Sequence, residues 1–80
     1  MGHASGTHRA LRLIVASNVK ARRLRFGLSQ EQLAARSGFH RTYIGSVERG
    51  ERNITLSTLE VLAIVLEAAP EDLLRLPAHE

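Results

Sequence analysis

Apolar side chains recur at helical spacing from the start of the chain. Leu11, Val15 and Val19 stand four apart, Ile14 widens the stripe, and no proline or internal glycine interrupts residues 9–26. On a rod with 3.6 residues per turn those positions share one side, so the pattern predicts one long helix. Gly27 ends it, because a residue without a Cβ takes the left-handed closing conformation at little cost.

Ser29 then stands where an N-cap belongs, and Gln32 three positions on completes the spacing of a capping box. A short second helix is expected over about residues 30–36, burying Leu33 and Ala34 and ending at a tight turn on Gly38. A third follows from about His40 to Arg49, stopped by Gly50, with Ile44 and Val47 as its buried pair. Its remaining side, with Arg41, Thr42, Tyr43 and Ser46, is expected to face outward.

Past a polar loop, Thr55 caps a fourth helix whose stripe is Leu59, Leu62, Ala63 and Leu66. Val61, Ile64 and Val65 add apolar surface on further sides, more than one small core can use. Pro70 suits the first turn of a fifth helix and Glu71 and Asp72 suit its positive dipole end, with Leu73, Leu74 and Leu76 packing before Pro77. No segment alternates with a strand's period of two. The expectation is an all-α domain of five helices over residues 9–77, flanked by a polar stretch at 1–8, read as a flexible arm or a vector-derived remnant, and a tail at 78–80.

Two short helices joined by a tight turn, the second offering polar and basic side chains, have the arrangement of the helix-turn-helix unit that reads DNA. The spacing is demanding: Ala34 is small where the helices would cross, Gly38 makes the turn, and Leu33, Ile44 and Val47 pin the second helix. Composition agrees. The 80 residues carry 11 Lys and Arg against 8 Asp and Glu, a formal net charge of +3, which suits a polyanionic partner. Basic residues gather at Lys20, Arg22, Arg23 and Arg25 and continue through Arg36, Arg41, Arg49 and Arg52, whereas acids collect late, at Glu60, Glu67, Glu71, Asp72 and Glu80.

Other classes find little support. The chain has no cysteine, hence no thiolate zinc site, disulfide or thiol nucleophile. Its histidines are scattered, and there is no carboxylate pair, nucleophile-base spacing or Gly-rich phosphate loop, so neither catalysis nor a cofactor is expected. With no apolar run of ~20 residues and no secretion signal, a cytoplasmic protein that does not enter a membrane is expected.

The text Gly27-Leu28-Ser29-Gln30-Glu31, Leu33-Ala34, Gly38, Ile44, Val47-Glu48-Arg49-Gly50, then Leu59 and Leu62, resembles the phage-repressor-like, or XRE-type, helix-turn-helix regulators. His40-Arg41-Thr42-Tyr43-Ile44 and Glu48-Arg49-Gly50-Glu51-Arg52-Asn53 resemble the controller proteins of restriction-modification systems. The resemblance spans about residues 19–66 and implies a lambda-repressor-like fold with its helix-turn-helix at the centre. It also implies that Arg41, Thr42 and Tyr43 enter the major groove while Arg52 reaches DNA from the next loop. It implies an Arg23–Glu48 ion pair, taken as exposed, that ties helix three to helix one and leaves Arg23 donors for a phosphate. Arg22 departs from the family pattern, standing where many relatives have an apolar residue.

The chemistry of these residue types is consistent with that. An arginine fork can donate twice to guanine, and threonine's methyl can pack on thymine's. Ser46 shares their face as a secondary contact. Ser29 and Gln30 sit at a helix N-terminus, where free amides attract phosphate, and Arg49, Asn53 and, less directly, Arg36 flank the recognition helix as backbone contacts. One recognition helix reads too few base pairs to select a site in a genome. A homodimer on a two-fold symmetric operator is therefore expected, its interface drawn from Val61, Ile64, Val65, Leu73, Leu74 and Leu76. A module of the same fold acting mainly as an antitoxin or adaptor is the rival, and contact with RNA polymerase or a toxin stays open.

Overall fold

The computed structural model describes residues 10–76; the arm at 1–8, Arg9, Pro77 and the tail at 78–80 lie outside them. All regular secondary structure among the described residues is helical: α1 (Leu11–Arg25), α2 (Gln30–Ser37), α3 (Arg41–Glu48), α4 (Leu56–Val65) and a 3₁₀ turn (Pro70–Leu74).

Local chemistry places the ends. Ser29 Oγ accepts from Gln32 N at 3.0 Å while Gln32 Oε1 accepts from Ser29 N at 2.8 Å, the reciprocal capping box of α2. Thr55 Oγ1 accepts from Thr58 N at 3.1 Å and opens α4. Gly27, Gly38 and Gly50 take φ of 70°, 79° and 75°, a region that penalises residues with a Cβ.

The core gathers Val15 and Val19 of α1, Leu33 and Ala34 of α2, Ile44 and Val47 of α3, Leu59, Leu62, Ala63 and Leu66 around α4, and Leu73 of the 3₁₀ turn. Every element contributes to this one cluster. Leu11, expected in the α1 stripe, is instead 54% exposed, and the buried face of α1 continues as Ile14, Val15, Ala16, Val19 and Arg23. The stripe is therefore turned away from its first member, which lines a shallow apolar groove with Leu56, Leu59 and Leu74.

A fifth α-helix does not form. Asn18 on α1 donates its amide to the carbonyls of Leu73 and Arg75, at 2.9 and 2.8 Å, which ties the end of the turn to α1; a helix continuing past it would find no N–H at Pro77 to return to Leu73 O. Arg75 is extended, with ψ of 136°. Leu73, assigned above to a dimer interface, is completely buried in the monomer core.

Arg22, the departure from the family pattern, spans the same corner. Its Nη1 lies 3.5 Å from the carbonyls of Leu66 and Glu67, where α4 ends, and its Nη2 lies 3.7 Å from Asp72. A cation at the negative end of a helix dipole replaces the apolar contact.

Candidate nucleic-acid interface

Ile44 and Val47 are 0% and 2% exposed, so α3 is anchored by its apolar side against α2 and the core. Gly38 sets the turn between them: the Phe39 amide returns to Ala34 O at 3.0 Å. Arg41 and Thr42, at the N-terminal end of α3, are exposed.

The opposite end is held by charge. Arg23 donates Nε and Nη2 to the two carboxylate oxygens of Glu48, at 2.6 and 2.9 Å, and Nη1 to Leu28 O at 2.8 Å. The side chains are only 9% and 3% exposed. The pair is thus buried, not exposed, and Arg23 is corrected from a phosphate contact to an internal brace: packing beneath the α1–α2 turn shuts it off from solvent. Its hydrogen bond to Glu48 raises the guanidinium pKa above the ordinary value, outweighing the burial that opposes charge. Gln30 joins in, donating Nε2 to Glu48 Oε1 at 3.1 Å. One carboxylate therefore ties α1, α2 and α3 together.

Two further residues sit otherwise than expected. Ser46 is 6% exposed, because α3 turns this position toward the α3–α4 loop; its hydroxyl donates to Tyr43 O at 2.7 Å and accepts from Arg52 Nε at 3.0 Å. It is corrected from an outward-facing contact to an internal one. Tyr43 is half-buried at the core edge, its ring centroid 5.3 Å from that of Phe39. The Arg52 guanidinium carbon lies over the Tyr43 ring, 5.3 Å from its centroid, a cation–π arrangement.

The remaining candidates rim this surface. Ser29, Arg36, Arg49, Arg52 and Asn53 are exposed and Gln30 is partly so. Arg49 donates Nε and Nη2 to Glu51 at 3.0 and 3.2 Å; that contact raises the pKa of Arg49 and lowers that of Glu51. Arg23, Gln30 and Glu48 converge in one network and Tyr43, Ser46 and Arg52 in another, while Arg36 and Asn53 join neither.

Sequence reasoning gave no role to Gly45, Glu51 or Arg12. A Cβ on Gly45 would lie 3.2 Å from Arg49 Nη1 and 3.6 Å from Gln30 Oε1; a glycine inside a helix, at a cost of about 0.5–1 kcal/mol, was the available signal. Arg12 donates Nε to Gly50 O at 2.9 Å, holding the end of α3 to the start of α1. No sequence pattern marks that pairing, since 38 positions separate the two.

Among the described residues no cluster of His, Asp or Glu could hold a metal ion, and no helix is long and apolar enough to cross a membrane. A helical domain whose second short helix crosses the first at a glycine turn and offers Arg and Thr at its tip defines the helix-turn-helix class. Residues 19–73 match the helix-turn-helix family HTH_3, and the chain belongs to that XRE-type family of DNA-binding transcription regulators.

Its relatives narrow the class. Control protein C.SmaI of Serratia marcescens is 61% identical over 61 residues, 76% of this chain and 73% of that protein. The restriction-modification controller protein C.AhdI of Aeromonas hydrophila superposes with a TM-score of 0.74 at 40% identity, over 78% of this chain and 94% of that one. The controller protein C.Esp1396I, solved as a tetramer in complex with its natural 35 base-pair operator, gives a TM-score of 0.71 at 33% identity, over 85% of this chain and all of that one.

Proposed function

We propose that this chain binds a two-fold symmetric duplex operator as a homodimer and regulates transcription in the manner of a controller protein. The observation that carries the reading is the division of α3: Ile44 and Val47 are buried while Arg41 and Thr42 at its tip stay exposed. A helix fixed on one side and polar on the other is what a major groove admits. Arg41, Thr42 and Arg52 read bases, and the outer edge of Tyr43 adds a contact beside Arg52. Ser29, Gln30, Arg36, Arg49 and Asn53 hold phosphates and set register. Residues 9–77 serve as the DNA-binding unit, with 1–8 and 78–80 as its flanks.

Exposed apolar residues support pairing. Ile64 is 75% exposed, Leu76 52% and Leu74 37%, and Val61 and Val65 on α4 are half-buried. These five form the proposed two-fold contact, which would place two recognition helices ~34 Å apart on one face of the duplex.

Selection of bound duplexes from a random pool, followed by salt titration of the best site, tests this. Paired inverted half-sites and a steep loss of affinity with salt are expected. Arg41→Ala should relax preference at one base step by about 1–3 kcal/mol, and Arg36→Ala should weaken all duplexes alike. Indifference to every duplex at low ionic strength would overturn the reading. A stoichiometric toxin recovered with the chain from its own cells would replace it with the antitoxin role.

A further inference from the structure

We infer that Ser46 is a positioning residue for DNA recognition: its buried hydroxyl, together with the Tyr43 ring, holds Arg52 in its binding pose before DNA arrives. The inference rests on the reading of Arg52 as a base contact and adds how that contact is prepared.

Arg52 belongs to the loop between α3 and α4, and its side chain has many rotamers. Fixing a long side chain on binding costs about 2- to 12-fold in affinity, so a protein that fixes it beforehand keeps that factor. Two contacts do so here. Ser46 Oγ, on a residue 6% exposed, accepts from Arg52 Nε at 3.0 Å, and the guanidinium carbon stands 5.3 Å from the Tyr43 ring centroid.

The hydroxyl is itself oriented. It has one proton, donated to Tyr43 O at 2.7 Å, which turns its lone pairs toward Arg52. The three residues form one chain, from the Tyr43 carbonyl through the Ser46 hydroxyl to Arg52 Nε, and close on the Tyr43 ring. Among the described residues the Nη groups of Arg52 make no protein hydrogen bond, so the fork that would address a base stays available while its stem is held. A serine at this position thus acts without touching DNA.

A double-mutant cycle on the full chain tests this with Ser46→Ala, Arg52→Ala and the two combined. Ser46→Ala should weaken binding to the selected operator about 5-fold, the worth of one hydrogen bond, and relax preference at the same base step as Arg52→Ala. In the Arg52→Ala background it should do nothing further, because no side chain remains to be held. The melting temperature should fall by no more than about 4–8 °C, the worth of the one hydrogen bond lost, so the protein stays folded in the binding assay. In the DNA-free protein the Arg52 Nε–H resonance should sharpen toward that of a freely rotating arginine in Ser46→Ala. Additive losses, or an unchanged Nε–H signal, would overturn the inference while leaving Arg52 as a base contact. An Arg52→Ala protein with full affinity and unchanged base preference would overturn both.

Discussion

Arg23 and Glu48, 25 positions apart in the chain, meet through two hydrogen bonds of 2.6 and 2.9 Å with almost no solvent around them. The pair joins the end of α1 to the end of α3, and Gln30 adds the start of α2 to the same carboxylate. Orientation of α3 therefore depends on a charge whose neutralisation is entirely internal.

Removing one partner should consequently be severe. Glu48→Ala leaves a buried guanidinium uncompensated, a loss of about 3 kcal/mol, or roughly 12–24 °C in Tm for a domain of this size. Replacing both by apolar residues, Arg23→Met with Glu48→Leu, should cost far less than the two single changes added together. Thermal unfolding of the four proteins measures this, and a Glu48→Ala protein melting with the wild type would refute it.

Gly45→Ala should separate stability from binding. The new methyl raises helix propensity by up to ~1 kcal/mol, and the crowded neighbour at 3.2 Å is the end of an exposed arginine that can move away. Tm should rise by a few degrees, while DNA affinity falls for all sequences because Arg49 is displaced from beside Gln30. Calorimetry and a binding titration on specific and random duplexes report the two effects.

Acid should loosen the corner at the 3₁₀ turn. Asp72 accepts from Ala69 N at 3.1 Å and from Arg75 at 2.9 Å, with Arg22 close by; these contacts lower its pKa below the ordinary 3.8. A carboxylate that binds its proton less tightly folded than unfolded stabilises the fold above its ordinary value and loses that contribution as pH falls through the lowered one. Tm should drop below about pH 4. Asp72→Ala should melt lower than wild type at pH 7 and converge with it in acid, retaining the smaller slope due to Glu51, whose pKa is lowered by Arg49.

Ile64→Lys should break the proposed dimer without harming the monomer, since Ile64 is 75% exposed and outside the core. Sedimentation should show a monomer at micromolar concentration. Affinity for a full symmetric site should fall toward that for a half-site, and an unchanged dimer would move the interface elsewhere.

Much of this architecture was legible from local chemistry. The Ser29 and Gln32 capping box, the Thr55 cap and the glycines at 27, 38 and 50 act over a few residues, so their spacing suffices to read them. The division of α3 into a buried Ile44 and Val47 and an exposed Arg41 and Thr42 follows from helical period alone. Harder to read was Ser46: the period set it on the outer face with Thr42 and Tyr43, and the structure buries it where the following loop brings Arg52 Nε to its hydroxyl. Leu73 likewise looked like spare apolar surface until α1 received it.

What the order of residues determined by itself was the sequence of helices, their ends and which side of each is apolar, because capping, left-handed glycine and period are all settled within a turn or two. Tertiary structure decided the rest. It buried the Arg23–Glu48 pair, tied the end of the 3₁₀ turn to α1 through Asn18, and joined Arg12 to the carbonyl of Gly50. Each of those outcomes depends on groups far apart in the chain, whose meeting is fixed by how the helices pack and not by any local preference.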